Sequence, residues 1–319
     1  MFRDLLIYLS KAGWAQRMIT SLKIARMAAG RFVAGNSIDD AIRVVREFNQ
    51  KGINATLDHL GESTETGGEA INATEDILKL LDQILASHIH ANVSIKLSQI
   101  GLSIDQGLCE NNLERILERA RDHSNFIRID MEDTPYTDQT LQLYRKMRSK
   151  GYKNTGIVIQ SYLYRTENDT RQLLSENSRI RLVKGAYKEP PELAFIKKGK
   201  VDENFDELTA IIIDAIKLGG SPILSEDGLI PPILAIGSHD PKRIEFAKKY
   251  ASKLGVPKKA IEFQMLYGIR RDLQEQCLKE GYPVRIYVPY GTHWYPYYMR
   301  RLAERPANLW FFISNFFRK

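Results

Sequence analysis

The sequence FIRIDME, residues 126–132, decides the fold, because its apolar and charged side chains alternate. Two isoleucines and a methionine take the odd positions, and the charged residues take the even ones. Successive side chains of a β-strand point to opposite faces, so this strand has one apolar face and one charged face. The stretches NVSIKLS (residues 92–98) and VRIYV (residues 284–288) show the same alternation. Strands of this kind suit a barrel whose apolar face packs on helices while its polar face lines the lumen.

Short β-rich stretches recur about every 30 residues along the chain, and helical patterns lie between them. Eight strands alternating with helices predict an α/β fold, a (β/α)₈ TIM-type barrel. An antiparallel sheet with one solvated face is the alternative. Charged side chains in a lumen are costly unless they are paired or bound to a ligand, so the polar faces predict one binding site at the strand ends. The predicted strands are residues 54–60, 93–98, 126–132, 156–163, 179–187, 232–238, 261–266 and 284–289.

The helical stretches set the expected domain boundaries. Ser37 reads as a helix N-cap followed by acidic residues, and further helices are predicted over residues 105–121, 137–150, 202–218, 240–254 and 295–304. Residues 1–36 are expected to form an N-terminal helical extension and residues 37–308 the barrel. Residues 309–319 form an apolar C-terminal tail.

Composition excludes several classes of protein. The chain has 319 residues, a net charge of +7 and two cysteines, Cys109 and Cys277, so no disulfide framework or four-cysteine metal site can form. Cysteine usage and the lack of a secretory signal or a membrane-length apolar run predict a cytoplasmic protein. Positive residues are scattered among acidic ones, so nucleic acid is not an expected partner.

Several residues have chemistry that suits a site, each with a structural alternative. Arg300 and Arg301 could clamp a carboxylate or phosphate, or simply be two exposed arginines near a helix end. Arg181 could face a ligand or form an internal ion pair with Asp130 or Glu132. Gln160 could read a heterocycle edge or be a hydrogen-bonded core amide. Six scattered histidines give no metal site, and neither a Rossmann glycine motif nor a P-loop occurs.

Seven motifs, one after another along residues 37–308, resemble those of the proline dehydrogenase family. They are LDHLGE (57–62), SIKLS (94–98), RIDME (128–132), RLVKGAY (181–187), FQMLYG (263–268), RIYVPYG (285–291) and MRRLAE (299–304). The resemblance implies a distorted (β/α)₈ barrel and an oxidoreductase with non-covalent FAD. It implies oxidation of L-proline to 1-pyrroline-5-carboxylate, the first step of proline catabolism to glutamate. Hydride would pass from proline C5 to flavin N5, and electrons would then reach a membrane quinone.

The resemblance also implies roles for individual residues. Those expected to act in catalysis are Arg181, Asp130 and Tyr287. Those expected to bind substrate are Lys96, Tyr287, Leu266, Tyr187, Arg300, Arg301 and Glu62, with Glu62 closing the site by pairing with Arg300. Those expected to bind the cofactor are Asp130, Gln160, Arg181, Val183, Lys184, Gly185, Ala186, His239 and Glu304.

The chain departs from the family pattern in two places. Gly237 and Asp240 stand where alanine and asparagine are expected, next to His239. Residues 188–200 carry two prolines and four lysines and do not align with the family, so the adenosine and pyrophosphate contacts are not assigned.

Other functions predict different behaviour. Another flavin barrel, such as a methylenetetrahydrofolate reductase-like enzyme, would react with a nicotinamide nucleotide. A non-catalytic barrel that binds proline or anions would be colourless, and a nucleic-acid binder would be retained on DNA in a salt-sensitive way. The apolar residues near both termini suit either helices packed on the barrel, which we favour, or peripheral contact with the inner face of the cell membrane.

Overall fold

The computed structural model describes Trp14, Met18 and residues 29–61, 64–219 and 222–304, with the backbone alone for residues 303 and 304. Eight parallel strands follow one another around a closed barrel in sequence order. The predicted (β/α)₈ TIM-type barrel is therefore confirmed. Its strands are β1 Asn54–His59, β2 Ala91–Ile95, β3 Ile127–Ile129, β4 Thr155–Gln160, β5 Arg179–Val183, β6 Leu234–Gly237, β7 Ile261–Leu266 and β8 Val284–Tyr290.

Helices follow the strands around the outside of the barrel. In the described part of the chain they are α1 Ile38–Asn49, α2 Gly67–Ala86, α3 Gln106–Asp122, α4 Thr134–Ser149, α5 Thr166–Ser175, α6 Lys198–Gly219, α7 Pro241–Lys253, α8 Arg271–Lys279 and α9 Trp294–Glu304. The predicted N-cap Ser37 forms a capping box with Asp40 at the start of α1. Asp105 and Asp240 cap α3 and α7, so local capping chemistry fixes where these helices begin.

The barrel closes where β1 pairs with β8 over six residue pairs, from Asn54 with Arg285 to His59 with Tyr290. Fixed register keeps every second side chain on the same face. The isoleucines of β3 and Ile286 of β8 are fully buried in the apolar layer that joins the strands to the helices. The alternate residues fill the lumen, so the predicted assignment of the two faces is confirmed.

The structure differs from the predicted elements in two ways. Strands β3, β4, β5 and β6 are shorter than predicted, and β2 begins two residues earlier and ends three residues earlier. Strand β5 ends at Val183 because the backbone then turns at Gly185, where φ is +113°. Helices α2, α5 and α8 were not among the predicted helices. Helix α2 was not predicted because it begins with two glycines, which are poor helix formers. Helix α8 was not predicted because it follows Arg270, which adopts the left-handed conformation at φ +51°.

Helix α9 lies over the mouth of the barrel formed by the carboxyl ends of the strands. Its aromatic residues pack against Leu60 at the end of β1, against Leu266 at the end of β7, and against Ala29, Phe32 and Val33 from the N-terminal region. Two terminal segments lie outside the described part of the chain. They are residues 1–28, apart from Trp14 and Met18, and residues 305–319. No helix among the described residues is long and apolar enough to cross a membrane.

Candidate active site

Four polar side chains from four strands or their ends meet in the upper lumen. Lys96 follows β2, and its Nζ lies 3.2 and 3.3 Å from the two carboxylate oxygens of Asp58 on β1. The same Nζ lies 3.5 Å from Oδ2 of Asp130 and 3.4 Å from the hydroxyl of Tyr287. The Tyr287 hydroxyl in turn donates to Asp130 Oδ2 at 2.8 Å. One ammonium group thus links side chains from three strands.

Arg181 of β5 joins this group from the opposite side. Its Nη1 donates to Asp130 Oδ1 at 2.9 Å and to the Ser94 hydroxyl at 3.1 Å. Its guanidinium carbon lies 5.4 Å from the ring centre of Tyr287, within the range of a cation–π contact. The predicted alternative of an internal ion pair is therefore present with Asp130. That pair also brings Arg181 to the residues predicted to bind substrate.

Protonation states in this group follow from burial and charge. Burial alone would raise the pKa of Asp130, but the positive charges of Lys96 and Arg181, with a hydrogen bond from Tyr287, outweigh it and lower that pKa. Burial raises the pKa of Tyr287 far above its ordinary value, and the Asp130 charge adds to the effect. Asp130 is therefore a fixed anion, and Tyr287 is a fixed hydroxyl donor.

A second polar layer lies below, nearer the amino ends of the strands. Glu262 accepts hydrogen bonds from Nε of Arg285 at 2.5 Å and from Nε2 of Gln264 at 2.9 Å. Arg285 also donates to the carbonyl oxygens of Ala55, at 2.7 Å, and Gly228. Glu262 and Arg285 are fully buried. The polar groups of this layer therefore form their hydrogen bonds with other groups of the protein.

Among the residues expected to contact the cofactor, those at the ends of β4, β5 and β6 lie on one side of the mouth, and several also have structural partners. The Gln160 amide donates to the carbonyl oxygen of Glu132 at 3.0 Å, which is the core-amide alternative. Lys184 points outward and pairs with Asp202, and with Asp240 at 2.7 Å. Nε2 of His239 accepts from the backbone N–H of Leu266 at 2.8 Å, which joins the ends of β6 and β7.

The end of β5 forms a rim beside Arg181. Val183 is the last residue of the strand and is half-buried, while Ala186 is exposed. A Cβ atom at Gly185 would collide with the ring of Tyr162, so this glycine makes room for a neighbouring side chain. Asp240, the departure from the family pattern, caps α7.

The other residues predicted to bind substrate lie at the mouth or outside the described residues. Leu266 ends β7, and Tyr187 follows β5 in a half-buried loop. Arg300 and Arg301 are half-buried on α9, and the Arg301 guanidinium carbon lies 5.2 Å from the ring centre of Tyr297. Glu62 lies outside the described residues, as does the side chain of Glu304.

Sequence reasoning assigned no role to Asp58, Ser94 or Gln264, although each directly contacts an assigned residue. The signal was available: each has the inward parity of its strand. Parity identifies which side chains enter a lumen but not which of them touch, because contact depends on strand stagger. Within the described residues, no group of three histidines, cysteines or carboxylates could hold a metal ion.

Comparison with known proteins adds a family to this geometry. A family model described as proline dehydrogenase matches residues 41–313. The chain is 38% identical over 317 residues to proline dehydrogenase 2 of Bacillus subtilis strain 168, which covers 99% of each chain. It is 39% identical over 290 residues to proline dehydrogenase of Deinococcus radiodurans, which covers 90% of this chain and 89% of that protein.

A solved structure has a similar fold. Proline utilization A from Bdellovibrio bacteriovorus, inactivated by N-propargylglycine, matches with a TM-score of 0.79 at 25% identity. The match covers 88% of this chain and 33% of that longer protein.

Proposed function

This chain belongs to the proline dehydrogenase family, and from that premise we propose that it is a cytoplasmic flavoprotein that oxidises L-proline to 1-pyrroline-5-carboxylate. FAD, when bound, would accept a hydride from proline C5 at flavin N5. We further propose a membrane quinone as the electron acceptor and the first step of proline catabolism to glutamate as the physiological role. The observation that carries the proposal is the convergence of Lys96, Asp130, Arg181 and Tyr287 in one hydrogen-bonded group.

The residues present suit FAD. Reduction adds negative charge to a flavin, and a buried guanidinium near it would stabilise that charge without reorganisation. Arg181 is 5% exposed. Among the described residues its hydrogen bonds are made by Nε and Nη1, so Nη2 is the nitrogen proposed to face the flavin. Gln160, Val183, Lys184, Gly185, Ala186, His239 and Glu304 are proposed to hold the cofactor on the same side of the mouth.

Binding of the substrate carboxylate is proposed for Lys96, Arg300 and Arg301. An arginine donates two parallel hydrogen bonds to a carboxylate, and Lys96 adds a point charge from below. Tyr287, Leu266 and Tyr187 would pack on the pyrrolidine ring. Fixing both ends of a small substrate places its reacting carbon in one position and removes much of the entropic cost of reaction.

Asp130 is proposed to act by holding its neighbours in place. As a fixed anion it orients the Arg181 guanidinium and the Tyr287 hydroxyl. Glu62 is proposed to pair with Arg300 above the substrate and exclude water. The proton on the proline nitrogen is lost before the hydride leaves, and we assign no base to it.

The test is the visible absorption spectrum of the purified protein, followed by anaerobic addition of L-proline. A flavin spectrum that bleaches with L-proline supports the proposal, and reoxidation by a soluble quinone supports the acceptor. A colourless protein, or a spectrum unchanged by L-proline, contradicts it.

We propose that the terminal segments pack on the barrel. Contact with a membrane surface is the alternative, because these segments carry apolar residues beside Arg3, Lys11, Arg318 and Lys319. The test is sedimentation with anionic liposomes, with and without residues 1–20. Equal sedimentation of both proteins would contradict a role for the N-terminal segment.

A further inference from the structure

The Arg181 guanidinium is held from below by Gln264 of β7. Oε1 of Gln264 accepts a hydrogen bond from Arg181 Nε at 2.5 Å, and Nε2 of Gln264 donates to Glu262 Oε1 at 2.9 Å. An amide has an acceptor oxygen at one corner and a donor nitrogen at the other. An arginine on one side and a carboxylate on the other therefore fix the orientation of this amide.

Glu262 is itself immobilised, which makes Gln264 a rigid support. It pairs with Arg285, whose other nitrogens donate to the backbone carbonyls of Ala55 and Gly228. Because Glu262 and Arg285 are fully buried, neither can turn away without leaving an unpaired charge inside the barrel. The chain Arg285–Glu262–Gln264–Arg181 thus connects the base of the barrel to the upper lumen.

The support has a geometric consequence for Arg181. Gln264 holds Nε, while Asp130 and Ser94 hold Nη1. A guanidinium is planar, so two anchored nitrogens fix the plane and the direction of the third. Nη2 takes part in none of these bonds.

We propose that Gln264 is a positioning residue for the reaction, which fixes the plane of Arg181 so that its Nη2 edge faces the bound flavin. This inference rests on the proposed function, because it acts through the role proposed for Arg181. Inward parity places Gln264 in the lumen, but the sequence motif FQMLYG does not show which residues its amide contacts. Its role follows from the two hydrogen bonds of its amide.

A double-mutant cycle on the FAD-bound protein tests the proposal, since such a cycle isolates the coupling between two residues. The variants are Gln264→Met, Arg181→Met and the double variant, and methionine is close to glutamine in length and volume. The readouts are the midpoint potential of the bound flavin, and kcat and KM for L-proline. Gln264→Asn, which keeps an amide but shortens it by one methylene, is the second variant if Gln264→Met folds poorly.

We expect Gln264→Met to shift the flavin midpoint potential in the same direction as Arg181→Met. We expect kcat to fall about tenfold, because a small misplacement near the reacting atoms is costly, with little change in KM. In the Arg181→Met background, loss of Gln264 should shift the potential no further. Gln274→Met is the matched control, since Gln274 is a buried glutamine on α8 whose amide donates to the Ile269 carbonyl. It should leave the potential unchanged.

An unchanged potential in Gln264→Met, or equal shifts in the presence and absence of Arg181, would overturn the inference. So would a shift of the same size in the Gln274→Met control. A wild-type protein whose flavin is reduced by L-proline, together with a normal potential in Gln264→Met, would reject the inference alone. A wild-type protein without flavin would reject the proposed function itself.

Discussion

Two layers of charged side chains lie one above the other in the same lumen, and their hydrogen bonds differ in kind. In the lower layer, Arg285 donates to two backbone carbonyls and to Glu262, so its donors are consumed by the fold. In the upper layer, Lys96, Asp130 and Arg181 bond mainly to other polar side chains at the open end of the barrel. Barrels of this type place catalysis at the carboxyl ends of the strands and stability at the other end. Depth in the lumen, rather than residue type, therefore separates structural from functional charges.

The largest expected effect concerns the lower layer. Arg285→Met should lower the free energy of unfolding by about 3–5 kcal/mol, because it leaves Glu262 as an unpaired buried charge. Urea denaturation of the purified variant measures this loss.

Arg128 is the control within the same lumen. It is also buried, but its Nε and Nη2 have no hydrogen-bond partner among the described residues. Its Nη1 donates to the carbonyl oxygens of Ile157 and Arg179, at 3.1 and 2.5 Å. Arg128→Met should cost about 1–2 kcal/mol. Equal losses in the free energy of unfolding for Arg285→Met and Arg128→Met would show that leaving Glu262 unpaired has no additional cost.

The proposed carboxylate clamp at the mouth gives the next largest effect. Arg300→Lys or Arg301→Lys should raise KM for L-proline roughly thirtyfold, since a hydrogen bond between charged groups contributes about 2 kcal/mol. The amount of bound flavin should not change. Steady-state kinetics and the absorbance ratio of flavin to protein provide the two measurements, and wild-type KM in both variants would reject the clamp.

Asp58 sharpens the comparison inside the upper layer. Asp58→Asn removes the negative charge that holds Lys96 on the β1 side and leaves Asp130 as a carboxylate partner of Lys96 among the described residues. We expect kcat/KM for L-proline to fall about tenfold. Asp82→Asn is the matched control at a half-exposed pair with Arg119 and should leave kcat/KM near wild type. Similar losses of kcat/KM in Asp58→Asn and Asp82→Asn would show that the charges of the upper layer affect the reaction no more than a surface charge does.

The smallest effect lies outside the lumen, at the amino ends of α6 and α7. Arg243 Nε lies 2.8 Å from Asp206 Oδ1. Burial nevertheless raises the pKa of Asp206 to about 6, more than the Arg243 charge lowers it, and Asp202 and Asp240 add like charge. When the pKa of a carboxyl group is higher in the folded state, the protein loses stability as pH rises through that pKa. Asp206→Asn should therefore stabilise the protein by about 1 kcal/mol at pH 7.5, allowing for solvent screening.

The pH dependence decides the Asp206 prediction. At pH 4 both forms of the folded protein carry an uncharged group at this position, so the gain in the free energy of unfolding should disappear. Urea denaturation at the two pH values measures it, and an equal gain at both would reject the electrostatic cause.

Sequence patterns were sufficient for the barrel and for the position of several side chains in its lumen. Alternating parity in β3 and β8 predicted that Asp130 and Tyr287 face the lumen, whereas the roles that the family motifs imply for them stay predictions. The partners of those residues were not predictable, because Asp58 meets Lys96, and Gln264 meets Arg181, only through the stagger of neighbouring strands. The ends of β5 and the start of α8 were missed because single residues with positive φ, Gly185 and Arg270, control them.

The proposed function requires that the upper layer of the lumen binds substrate beside a flavin. A crystal structure of the protein with FAD and tetrahydrofuran-2-carboxylate, the oxygen analogue of proline that has no ring N–H, tests it most directly. We expect the analogue to lie above Lys96 and Tyr287, with its carboxylate within hydrogen-bond distance of Arg300 or Arg301 and the flavin beside Arg181. An analogue bound away from the upper lumen, or a flavin remote from Arg181, would contradict it.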